Sequence, residues 1–90
     1  MQVFKEYPLD EKQLANQTVY LPANSDIVSV VKSTKGVVLV AVTKHAAYNA
    51  PPPELRTFKI CASDEIFYVD TVKYIGSFES SLGLRHVIEV

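Results

Sequence analysis

Side chains able to do covalent or metal chemistry are few in this chain: one cysteine, Cys61, and two histidines, His45 and His86. A zinc site needs further Cys, His or carboxylate ligands at short spacing, and none gathers around either histidine. His45 opens a polar loop and reads as solvated, while His86 alternates within a strand-like stretch at a surface or core-edge position. Cys61 also sits in a strand-like stretch, where a free thiol is usually a small buried hydrophobe, and nothing in the spacing places it beside either imidazole. The adjacent acids Asp10-Glu11 and Asp64-Glu65 fall at turns. Consecutive side chains on an extended chain point to opposite faces, so neither pair is a ready acid–base dyad. GxSxG, P-loop and GxGxxG patterns are absent, and Gly36, Gly76 and Gly83 are too scattered to cradle a phosphate. The expectation is binding without catalysis, metal or cofactor.

Binding chemistry has better candidates. Tyr48 lies in the stretch Lys44 to Glu54 (KHAAYNAPPPE), where Pro51 to Pro53 favour a stiff polyproline II segment. A rigid loop that presents an aromatic ring loses little entropy on docking. Arg56 follows closely, and Tyr and Arg are the residue types enriched at interface hot spots. Tyr48, Pro52, Arg56 and Arg85 are therefore the candidate partner-binding residues. The plainer alternative packs this loop over the end of a sheet. A different arrangement, Arg56, Arg85 and Tyr74 converging across a subunit boundary, would suit a nucleotide.

The elements that must position these residues read as strands. Gln2 to Leu9 sets Val3, Tyr7 and Leu9 on one side and Phe4 on the other, with Pro8 marking an edge or an end. Asp10 to Asn16 is polar, with a turn of helix capped by Asp10 as one option. Gln17 to Leu21 is a short strand stopped by Pro22 and the Asn24-Ser25-Asp26 turn cluster. Ile27 to Lys32 and Val37 to Val42 flank Ser33-Thr34-Lys35-Gly36 and read as a hairpin. The second of these strands is apolar on both faces, which suits a central strand or one covered by a partner or a helix. Leu55 to Ala62 alternates, Ser63-Asp64-Glu65 turns, and Ile66 to Val69 is a short apolar piece of open type. Val72 to Glu79 and Leu84 to Val90 close the chain as a second hairpin around Ser80 to Gly83. Six to seven short strands with regular turn signals predict a mainly β fold, a small antiparallel β-sandwich or open barrel.

The totals agree. Ninety residues with 48% hydrophobic and 21% charged content make one globular domain, residues 1–90. A chain this short has a thin core, and the two-faced Val37–Val42 strand adds an expectation of self-association as a homodimer or larger. The net charge of -1 and scattered basic residues disfavour direct nucleic-acid binding. No apolar leader is evident, the Val37–Val42 run is too short to span a bilayer, and the single cysteine suits a reducing compartment. The expected location is cytosolic.

Three strand motifs carry a likeness. "RTFKI" at Arg56 to Ile60, "YIGSF" at Tyr74 to Phe78 and "HVIEV" at His86 to Val90 resemble a family of short, bacteriophage-encoded proteins of unknown function. "LPANSDIVSV" from Leu21 to Val30 resembles that family's turn and following strand more loosely. This chain departs in lacking the tryptophan common in the family's fourth strand and in its longer, proline-rich Lys44–Pro53 stretch. The resemblance implies a phage accessory protein acting in the host cytoplasm. Such proteins commonly bind and inhibit a host protein, including as anti-defence factors such as anti-CRISPR proteins. An oligomer sequestering a nucleotide signal and a structural protein of the virion are the other readings.

Overall fold

Seven strands follow one another: β1 (Gln2–Leu9), β2 (Gln17–Leu21), β3 (Asp26–Ser33), β4 (Gly36–Lys44), β5 (Glu54–Ala62), β6 (Lys73–Ser80) and β7 (Gly83–Glu89). The structure is a computed structural model that describes residues 2–13, 15–44, 51–66 and 72–90. All strand pairs are antiparallel, in a three-stranded sheet of order β1-β4-β3 and a four-stranded sheet of order β2-β5-β7-β6. The fold is thus all-β and sandwich-like, open rather than closed into a barrel. Among the described residues there is no helix, and so none long and apolar enough to cross a membrane.

The core lies between the sheets. Leu9, Ile27, Val30, Val37, Leu39 and Ala41 from one sheet meet Leu21, Phe58, Ile60, Phe78 and Val87 from the other. The alternation of strand side chains decides who enters. On β4, Val37, Leu39 and Ala41 point inward and are essentially fully buried, whereas Val38, Val40 and Val42 alternate with them and are half-buried. The two-faced character of this strand is therefore real, and β4 is the central strand of its sheet.

β3–β4 and β6–β7 turn by the same device. In each, a serine hydroxyl donates to the carbonyl of a glycine three residues on and accepts the N–H of the residue between: Ser33 with Gly36 and Lys35, Ser80 with Gly83 and Leu82. Gly36 and Gly83 sit at φ 117° and 114°, a region that L-residues with a Cβ rarely enter. Both hairpins are those expected from strand runs joined by the short Gly-containing connections Ser33 to Gly36 and Ser80 to Gly83. The optional helix at Asp10 to Asn16 is not formed. Asp10 accepts the N–H groups of Lys12 and Gln13 in a turn, and the Gln17 amide clamps the Asp10 backbone by donating to its carbonyl and accepting its N–H. Of the open Ile66–Val69 piece, Ile66 is exposed and the rest lies outside the described residues.

The sheets approach most closely where β6 crosses β3. A Cβ added at Gly76 would stand 2.9 Å from Val30 Cγ1. The bulge between Tyr74 and Gly76 sits at the same place, bending β6 where it meets the other sheet.

Candidate functional site

Of the expected binding residues, Pro52, Arg56 and Arg85 lie among the described residues. Tyr48 lies outside the described residues. Pro52 is exposed just before β5. Arg56 is committed within the fold: Nε and Nη2 donate to the two Glu89 carboxylate oxygens at 2.6 and 2.7 Å, and Nη1 donates to the Ser25 carbonyl at 2.6 Å. This fork ties β5, β7 and the β2–β3 turn together. The hydrogen bond to Arg56 holds the Glu89 carboxyl below its ordinary value, against the opposing pull of burial. Arg85 pairs with Ala62, at the far end of β5 from Arg56. It borders a cleft of about 290 Å³ with Glu11, Lys12, Ser80, Ser81 and Leu82. Within one chain, Arg56, Arg85 and Tyr74 occupy three separate places.

Two other surfaces carry more. The first is the outer face of the β1-β4-β3 sheet. Register places Phe4 and Asp26 beside Val42, Glu6 and Ser29 beside Val40, and Pro8 and Val31 beside Val38. Phe4 is 75% exposed, and Val28, at the β3 bulge, and Val31 are also exposed. The face is a valine stripe with an aromatic ring at one margin. Among its described side chains the charges are two carboxylates, Glu6 and Asp26.

The second surface is a pocket of about 380 Å³ on the outer face of the β2-β5-β7-β6 sheet, lined by residues including Cys61, Ser63, Asp64, Tyr74, His86 and Ile88. His86 is bonded through both ring nitrogens: Nε2 lies 2.9 Å from Ser63 Oγ and Nδ1 lies 2.9 Å from Tyr74 OH. The two rings are tilted by 50° with centroids 5.8 Å apart. One nitrogen donates and the other accepts, and both hydroxyls serve either tautomer. Below them, Cys61 and Ile88 are buried although they belong to the face opposite the main core. Burial pushes the Cys61 thiol up from its ordinary value, and the neighbouring Glu65 carboxylate adds to that. A protonated, covered thiol is a poor nucleophile. Glu65 is lowered, chiefly by the Ala62 N–H it accepts, and it also pairs with Lys59 at 3.3 Å. Among the described residues no group of His, Cys, Asp and Glu is arranged to hold a metal ion.

Sequence reasoning placed Ser63 in a turn and His86 at a surface or core edge without joining them. The hairpin register contained part of the signal, since Ser77 pairs with His86. The β6 bulge then shifts Tyr74 to pair with Ile88 and so brings it diagonally to His86, and a bulge leaves no trace in the alternation of residue types.

Compared with protein-family models, with curated proteins and with solved structures, the chain finds no match. The strand motifs singled out in the sequence are RTFKI, YIGSF and HVIEV. Those motifs are β5, β6 and β7, three neighbours in one sheet. Their distinctive side chains answer one another: Arg56 with Glu89, Tyr74 with His86, and Phe58, Ile60, Phe78 and Val87 in the core.

Proposed function

We propose that this protein is a small phage-type accessory protein that binds a host protein without catalysis, in the host cytoplasm, and inhibits it by occluding a working surface, as anti-defence factors such as anti-CRISPR proteins do. The observation that carries the reading is the outer face of the β1-β4-β3 sheet, with Phe4 75% exposed beside half-buried Val42. An exposed aromatic beside a valine stripe offers a rigid apolar anchor, and fully burying such a side chain is worth about 1.5–3 kcal/mol. The partner's chemistry follows from the rim. Glu6 and Asp26 suit a surface whose apolar centre is flanked by lysine or arginine.

A second copy of the chain is the competing occupant, and the unpartnered apolar face of β4 supports it. Symmetrical stacking, however, sets carboxylates of one copy against carboxylates of the other, so self-association through this face should strengthen as salt screens them. The test is capture of a host protein by the tagged chain, repeated with Phe4→Glu and Val31→Glu after circular dichroism has confirmed the fold. Loss of the captured protein with both variants, together with weaker binding at raised ionic strength, supports the reading. Undiminished capture by folded variants overturns this face as the interface. Light scattering at micromolar concentration across a salt series tests the dimer.

A further inference from the structure

Beyond protein binding, the pocket on the opposite side of the sandwich has the makings of a small-molecule site. Its volume of about 380 Å³ falls in the range of ligand pockets. The floor is apolar, built from Cys61 and Ile88, both 3% exposed, with Val72 beside them. The wall is aromatic: Tyr74 is 58% exposed, and its ring orientation is set by the hydroxyl bond to His86. Because Ser63 holds the other imidazole nitrogen, the His86 ring is fixed from two sides before anything binds. Pre-set rings and hydroxyls lose little freedom when a ligand docks.

The charges select the ligand class. Among the described residues no lysine or arginine lines the pocket, which disfavours a phosphate or carboxylate ligand. Glu65 is occupied by Lys59 and by the Ala62 N–H. Asp64 lies at the rim in the Ala62–Glu65 turn, at φ 65°, and its carboxylate makes no bond to another described residue. An apolar floor and an aromatic wall beside a carboxylate with no bond to another described residue fit a flat ring bearing a positively charged amine, with the ring against Tyr74 and His86 and the ammonium against Asp64.

We propose that this pocket binds a small aromatic amine, through stacking on Tyr74 and His86 and a charge-assisted hydrogen bond to Asp64. Tyramine is the probe, and 3-(4-hydroxyphenyl)propionate, with a similar ring and chain but the opposite charge, is its control. Each is titrated into the full chain while the side-chain resonances of His86 and Tyr74 are followed by NMR. Saturable shifts with tyramine and at least tenfold weaker binding of the propionate are expected. Asp64→Asn should weaken tyramine binding about tenfold, and asparagine tolerates the positive φ of that turn, so the fold is kept. Tyr74→Leu should remove saturable shifts at His86. Equal binding of the two probes, no saturable shift with tyramine, or an Asp64→Asn variant that binds like the parent would each overturn the proposal.

Discussion

Arg56 shows how a residue type that signals an interface can be used inside a fold. Its guanidinium satisfies both oxygens of Glu89 and a backbone carbonyl, with the ion pair's side chains only 16% and 18% exposed. Removing one partner strands the other in a half-buried site. Arg56→Ala is therefore expected to cost about 2–4 kcal/mol in urea unfolding, and the variant is a poor reporter of binding because it perturbs the sheet first. A double change, Arg56→Met with Glu89→Met, removes both charges and should recover most of that loss. The pair also sets a pH dependence. Glu89 has its carboxyl lowered in the folded state, so its contribution is fully present above the unfolded carboxylate value of 4.5 and is lost as pH falls through the lower folded value. Glu89→Gln should be less stable than the parent by a constant margin near neutrality, a margin that shrinks as the pH is taken down through the carboxylate range. Chemical denaturation at a series of pH values measures it, and a margin that held steady into acid would rule out the charged pair as its source.

At the scale of the element, backbone approach and polar satisfaction decide what each strand tolerates. Gly76 is set in β6 against Val30, where an added methyl would stand 2.9 Å from a methyl of Val30, a buried core residue. Gly76→Ala should therefore destabilise by about 1–3 kcal/mol through overpacking, seen as a lowered urea midpoint with an unchanged slope. Thr43, on the inner face of β4, presents the opposite case. Its hydroxyl is buried with no hydrogen-bond partner among the described residues, and an unmet buried hydroxyl costs about 1–3 kcal/mol. Thr43→Val keeps the shape and removes the polar atom, so a rise in the thermal midpoint is expected, while a fall would reveal a partner for that hydroxyl. These two positions also mark the limit of reading strands from sequence. Alternation and the short Gly-containing connections made the strands and both hairpins legible, because period-two burial and positive φ each demand particular residue types. The extra residue in β6 obeys no such demand. It governs both the Gly76–Val30 contact and the Tyr74–His86 bond, so the sheet crossing and the pocket stayed hidden. Arg56 was visible as a notable residue, but its partner Glu89 lies on a strand remote in sequence, and only strand order joins them.

For the whole molecule, what matters is which of its surfaces invites association. The sandwich measures 44 × 33 × 17 Å, so it is thin and presents two broad faces and a rim of strand edges. Edges are the usual hazard of an open sandwich, because unpaired backbone groups template another strand. β1 is such an edge, lying outermost in its sheet, and its sequence blunts that hazard twice. Pro8 removes one N–H, and Lys5 shares a face with the buried Ala41, so a charge points to the core side of an exposed edge. A strand added beside β1 would confine that ammonium group, which opposes pairing at this edge. With this edge blunted, the surfaces left for a partner are the faces, the valine stripe with Phe4 on one side and the Tyr74–His86 pocket on the other. Replacing both blunting residues, Lys5→Val with Pro8→Thr, opens the edge and changes the outer face at Pro8 alone. The double variant is expected to form dimers or larger species at concentrations where the parent keeps its own mass, measured by light scattering. It should also gain backbone protection in β1 by hydrogen exchange as concentration rises. If the two proteins scatter alike, Lys5 and Pro8 are not what keeps the edge unpaired. If the variant associates and Phe4→Glu fails to prevent it, the edge associates without help from the outer face, although Phe4 stands on the same strand.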